Sequence, residues 1–130
     1  VHALENDAPS IIPDLVGGDY GKISMDVVVD AANQGDQLSQ GILSDIALHL
    51  GTGIANLINL FNPEMIVLGG MFIPAGDYLL PTISSIVNAE ALAEPAKMVA
   101  VALSSQGQNA CAKGATALVI DGIVRTPMTC

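Results

Sequence analysis

A chain of 130 residues with 51% apolar residues has the size of one globular domain and is too hydrophobic for intrinsic disorder. Aromatic residues make up only 3%, so Ile, Leu, Val and Ala must build the core. Thirteen acidic residues against four basic ones give a formal charge of −9. This argues against direct nucleic-acid binding, because Lys22, Lys97, Lys113 and Arg125 are too dispersed to neutralise a run of phosphates.

Starting at Val1 without an initiator methionine, the chain reads as a processed product or an excised piece. Glu5, Asp7 and Pro9 stand where a signal peptide needs a basic start and an apolar run, so no signal peptide is expected. Residues 1–21 contain Pro9, Pro13 and Gly17-Gly18, lack sustained periodicity and read as a leading loop, which leaves 22–130 as one domain. Ser24 is placed to cap a helix over 25–33, with Asp26 in its first turn. Gly35 breaks the chain, and Asp36 is a suitable cap for a second helix reaching about Phe61. That helix would span about 37 Å at ~1.5 Å per residue. Pro63 ends it, because proline fixes its own φ and disfavours the α region for Asn62.

The run Met65-Ile66-Val67-Leu68 is too short for a helix and is bounded by turn residues, so 65–69 reads as a buried strand ending at Gly69-Gly70. Asp77 is expected to cap a third helix that tolerates Pro81 near its first turn and ends around Leu92. A second strand over 98–103, an exit loop Ser104-Ser105-Gln106-Gly107 and a final helix over about 109–123 follow. Strand, helix and strand make a βαβ unit, so the two strands should be parallel. Two parallel strands are a marginal sheet, and such sheets usually sit within larger ones. An α/β lobe of a larger assembly is the expected architecture.

Several patterns invite a functional reading. Gly51-Thr52-Gly53 has the look of a phosphate-cradling loop, but it lies inside the apolar period Leu43, Ile46, Ala47, Leu50, Ile54, Leu57, Ile58, Phe61. Ala47, Gly51 and Ala55 recur every four residues as a smooth ridge, and helix packing is the preferred reading. Asp45, His49, Thr52, Asn56 and Asn59 fall on one polar stripe of the same helix, read as a solvated face in preference to a cleft lining or subunit contact. Asp45 and His49 have no third ligand nearby, and Cys111 and Cys130 have no metal spacing, so no metal site is expected. The stretch 46–61 is polar-interrupted and shorter than the ~20 residues of a membrane span, which predicts a soluble, cytoplasmic protein with reduced cysteines. No catalytic residue can be assigned, and the chain alone is expected to be inactive. Gly69-Gly70 is either a tight turn or a place where a ligand approaches the backbone at a strand's carboxyl end.

An ordered set of motifs sharpens these expectations. Ala31-Ala32 and Gly35-Asp36 open the long helix; Asn59-Leu60-Phe61-Asn62-Pro63-Glu64, Ile66-Val67-Leu68-Gly69-Gly70, Gly76-Asp77-Tyr78-Leu79 and Lys113-Gly114-Ala115 follow. Over roughly 30–120 the chain resembles the carboxyl-terminal lobe of the ROK family, sugar-responsive repressors and sugar kinases of the actin-like ATPase superfamily. The resemblance implies the carboxyl-terminal lobe of an actin-like (ribonuclease H-like) domain, a partial parallel sheet packed with helices. It implies that Gly69 and Gly70 let the backbone approach the adenosine of a nucleotide, a role that family repressors often lose. The family's phosphate loop, catalytic aspartate and His/Cys zinc cluster belong to an amino-terminal lobe and have no counterpart here. His2-Ala3-Leu4-Glu5 faintly resembles the end of the cysteine-containing segment, but alanine replaces cysteine and no sugar contact is assigned to Glu5.

The leading expectation is therefore a fragment of a sugar-responsive regulator that contributes to effector binding and oligomerisation. The tail 117–127, which resembles the extended ends of family repressors, favours this over the carboxyl-terminal lobe of an ATP-dependent sugar kinase. A structural self-association domain without ligand is the third reading. No cofactor is expected in this chain, and ATP only if the parent is a kinase. The expected partners are a second copy through the Ala47/Gly51/Ala55 ridge, a sugar effector in the full-length parent, and DNA only through a missing amino-terminal module; no membrane is expected.

Overall fold

The computed structural model describes residues 9–90, 99–105, 107 and 113–118. The first element is a short helix, α1 (Ile12–Leu15), followed by a 3-10 turn, Tyr20–Lys22. The expected leading loop thus holds a helical turn from its twelfth residue. Four residues are too few to show periodicity; Ile12 and Val16 gain their place by burial, at 2% and 6% exposed.

Helix α2 (Met25–Asn33) is capped by Ser24, whose Oγ accepts from the Val27 N–H at 3.4 Å. Helix α3 (Gln37–Phe61) begins at Asp36, as expected. Asp36 Oδ1 accepts the Ser39 N–H at 2.7 Å and Oδ2 accepts the Ile11 N–H at 2.8 Å, so one carboxylate caps α3 and pins the segment before α1. Burial pushes this carboxyl upward, but the hydrogen bonds from Ser39 and Ile11, helped by Ser10, outweigh it and hold its pKa at about 2. At the far end Asn62 takes the left-handed conformation (φ 46°) and donates its N–H to the Ile58 carbonyl, with Pro63 preventing continuation.

Strand β1 (Met65–Leu68) leads through a 3-10 turn, Gly70–Phe72, into α4 (Gly76–Glu90). Helix α4 starts one residue before Asp77, which therefore sits inside the first turn instead of capping it, and the Ala75 carbonyl accepts from Tyr78 and Leu79. Strand β2 (Ala100–Leu103) then pairs with β1 in parallel, with Met65 opposite Ala100 and Leu68 opposite Leu103. Residues 113–118 are helical. Most of the remaining predicted final helix, with Cys111 and Cys130, lies outside the described residues, as do Glu5 and the stretch around Leu92 and Met98.

Leu43, Ala47, Ile54 and Ile58 of α3 meet Leu79, Ile83 and Val87 of α4 in the centre of the core, with Ala31 and Ala32 of α2 and Leu68 of β1 around them. The Ala47/Gly51/Ala55 ridge is buried in this contact. A Cβ on Gly51 would lie 2.7 Å from Ile86 Cδ1 and 3.0 Å from Ile86 Cβ. Gly51 contacts Ile86 and Asn59 donates to the Glu90 carbonyl, so α3 and α4 rise together along the same direction. The ridge that was expected to receive a second copy is therefore occupied by the chain's own α4. By length and composition α3 is long and apolar enough to cross a membrane. Its buried face nevertheless belongs to this core, and its opposite face carries the exposed polar stripe, as in the core helix of a folded domain.

The sheet is less covered than expected. Leu68 is 9% exposed, whereas Met65 and Val67 are 57% and 54% exposed. Among the described residues Leu68 of β1 joins the core cluster with α3 and α4, whereas Met65 and Val67 have no such cover.

Candidate functional site

The carboxyl ends of β1 and β2 lie side by side, joined by the Ser104 N–H, which donates to the Leu68 carbonyl at 2.7 Å. Gly69 and Gly70 leave β1 here, and Ser104 leaves β2 beside them. The two glycines differ physically. Gly69 is extended (φ −135°), and a Cβ there would lie 3.6 Å from Ser104 Cβ, an ordinary contact. Alanine would fit without ligand. Gly70 is left-handed (φ +63°) with open space around it, so its requirement is conformational. Close beneath, Gly76 is packed so tightly on the Leu103 side chain that any Cβ would collide with it, which draws the start of α4 against the end of β2.

Next to this edge opens an apolar groove of about 450 Å³, lined by Ile42, Ile46 and Leu50 of α3 and by Phe72, with Asp45 and His49 on its rim. Phe72 belongs to the 3-10 turn that Gly70 starts, so groove and glycine pair share one loop. The polar stripe thus divides. Asp45 and His49 border the groove; Thr52, Asn56 and Asn59 are exposed further along, and Asn59 reaches Glu90. Sequence periodicity found the stripe but not the groove, because Phe72 comes from a turn with no period of its own.

A second hollow of about 410 Å³ lies between Pro9–Ser10–Ile11 and Gln34–Gly35–Asp36–Gln37. Its one acid, Asp36, already accepts hydrogen bonds at both oxygens and serves the fold. The Ser39 hydroxyl beside it is fully buried with no hydrogen-bond partner, yet close enough to favour the charged carboxylate. Among the described residues no three His, Cys, Asp or Glu side chains converge as a metal site would require. The chemistry available at the strand ends is recognition: backbone groups reachable past glycine, a serine, and an apolar wall.

Comparison with known proteins places this arrangement. The family model described as ROK family matches residues 8–122. The chain belongs to the ROK family. A putative xylose repressor of Caldicellulosiruptor sp. is 34% identical over 100 residues, which cover 77% of this chain and 25% of the relative. The regulator NagC of Escherichia coli is 45% identical over 65 residues, covering 50% of this chain and 16% of the relative. A glucokinase of Halalkalibacterium halodurans is 36% identical over 91 residues, covering 70% of this chain and 28% of the relative. Among solved structures, a ROK family transcriptional regulator homologous to E. coli Mlc superposes with a TM-score of 0.65 at 27% identity, over 78% of this chain and 24% of that one. A putative sugar kinase from Cytophaga hutchinsonii superposes with a TM-score of 0.64 at 22% identity, over 84% of this chain and 39% of that one, and supports the fold alone. The chain thus spans between 16% and 25% of the length of the regulators it matches. Its α/β architecture is a portion of the actin-like ATPase fold, and the ROK lobe expected from the motif order is present.

Proposed function

We propose that this ROK lobe is the carboxyl-terminal part of a sugar-responsive transcriptional regulator, working in the cytoplasm and contributing to effector response and subunit association. The observation that carries this reading is the set of its relatives: a putative xylose repressor, NagC and the repressor Mlc align with it over 100, 65 and 101 residues. The glucokinase relative supports the alternative, a lobe of an ATP-dependent sugar kinase. In either case Gly69 and Gly70 are the positions where a nucleotide or effector would approach the backbone, with the Ile42/Ile46/Leu50/Phe72 groove as the adjoining apolar wall.

DNA contact would be made by an amino-terminal module and not by this lobe. With a formal charge of −9, the isolated chain has no means of releasing counterions from DNA and should not bind a duplex at moderate salt. Salt-sensitive micromolar binding in an anisotropy titration would remove this part of the reading. For the complete protein, the deciding experiment is binding to its own upstream DNA with and without xylose, glucose and N-acetylglucosamine. Sugar-dependent release without ATP consumption supports the regulator, and ATP-dependent phosphorylation of the sugar replaces it with the kinase.

A further inference from the structure

Residues 9–16 are held to the rest of the lobe at two points, with a flexible joint behind them. Helix α1 is four residues long, too short to keep a helical turn by its own hydrogen bonds. It rests on α2, where Ile12 shares the core with Val28, Ala31 and Ala32 and Val16 is buried four residues on; Asp14 and Leu15 face solvent. The second point is Asp36, whose Oδ2 accepts the Ile11 N–H at 2.8 Å from 25 residues away in sequence. Open space occupies the boundary around this bond, because the 410 Å³ hollow separates residues 9–11 from 34–37. The carboxylate therefore makes the tie where close side-chain packing is lacking. Directly after α1, Gly17 and Gly18 are both left-handed (φ +61° and +77°), and a Cβ on either would meet nothing within 4 Å. Two adjacent unpacked glycines can change their dihedrals at little cost, which is the requirement for a hinge.

We propose that residues 9–16 form a releasable strap, hinged at Gly17-Gly18 and latched by Asp36, which lifts off as a unit while α2, α3 and α4 stay folded. The two oxygens of Asp36 divide the work. Oδ1 holds the Ser39 N–H and caps α3, and Oδ2 holds the strap. When the strap lifts, the cap survives and water takes the vacated oxygen, so the loss is confined to one hydrogen bond and the burial of Ile12 and Val16. The chain upstream of Pro9 enters the lobe through this strap. A latched strap passes a displacement of that upstream stretch straight to the first turn of α3; a released strap absorbs it at the glycines. Asp36 thus acts as a clutch between the incoming chain and the long central helix, in a regulator lobe and a kinase lobe alike.

Residue-resolved native-state hydrogen exchange on the 130-residue chain in low urea tests the proposal. The Asp14, Leu15 and Val16 amides donate to the Ile11 and Ile12 carbonyls and report on the strap. They should exchange roughly a hundredfold faster than the core amides of α3 and α4, with little dependence on urea, because a local opening exposes little surface. The amides of residues 29–32 in α2 should stay with the slow core, which places the hinge at Gly17-Gly18. Ile83→Val weakens the core away from the strap and should speed core exchange about two- to tenfold while leaving residues 14–16 unchanged. Asp36→Ala should speed exchange at residues 14–16 roughly tenfold or more by removing the latch. Ile12→Ala, which keeps the α3 cap, should do the same by removing the apolar anchor, and it decides the matter if Asp36→Ala does not fold. Exchange at residues 14–16 that follows the core in urea dependence and in its response to Ile83→Val overturns the proposal, as does a fast class that extends through α2.

Discussion

Two glycines two residues apart in α3, and so on different faces of it, should respond to alanine in opposite directions. At Gly53 the added methyl enters open space, so only the backbone term acts, and Gly53→Ala should stabilise the fold by about 1 kcal/mol. At Gly51 the same backbone gain meets Ile86, whose Cδ1 and Cβ would lie 2.7 and 3.0 Å from the new methyl. The Cδ1 can swing away, but the Cβ is anchored to α4, so α3 and α4 must separate slightly. Overpacking of a tight core typically costs about 1–3 kcal/mol, which leaves Gly51→Ala between neutral and about 2 kcal/mol destabilised. The two variants should therefore differ by about 1–3 kcal/mol, read as the shift in urea midpoint by circular dichroism at low micromolar concentration. Ile86→Val removes the nearer atom, so Gly51→Ala should be better tolerated in that background, with a coupling of about 0.5 kcal/mol or more in the double-mutant cycle. Equal stabilisation by both alanines, or additivity with Ile86→Val, would refute the close α3–α4 contact.

Further outcomes follow from the cap and from the strand ends. Asp36→Ala removes the α3 cap and leaves the Ile11 N–H unsatisfied, and should cost about 2–4 kcal/mol in urea denaturation. Because folding lowers the Asp36 pKa from 3.8 to about 2, its contribution is fully present above pH 3.8 and is lost as pH falls through about 2. Acid titration should show the wild-type advantage over Asp36→Asn shrinking across that window, and a constant gap would contradict the buried carboxylate. Gly70→Ala should destabilise by about 1–2 kcal/mol because its φ is left-handed, whereas Gly69→Ala should stay within about 0.5 kcal/mol of wild type. If Gly69 admits a ligand in the complete protein, Gly69→Ala should lower binding while leaving stability untouched; unchanged binding removes Gly69 from the site.

Local chemistry was readable from the chain wherever one residue or one period carries the signal. Ser24 and Asp36 cap their helices and Asn62-Pro63 ends α3 through interactions within a few residues, and the strand–helix–strand order is by itself enough to imply parallel pairing. The order of these motifs was also enough to indicate the family. What sequence could not say was which surface each face would meet. The apolar period of α3 reads as one face, but it contains two: Ala47, Gly51 and Ala55 lie under α4, while Leu57 remains exposed on a neighbouring flank. A period of 3.6 identifies apolar positions without naming their partners, and only the placement of Ile86 decides which glycine sits in a close helix contact. The same limit applied to the strand ends. Gly69 and Gly70 look equivalent as letters; the backbone makes Gly70 a conformational necessity and Gly69 a permissive position facing Ser104. The groove beside them joins α3 to Phe72 across a turn, a contact set by the direction in which β1 returns the chain and not by any local pattern.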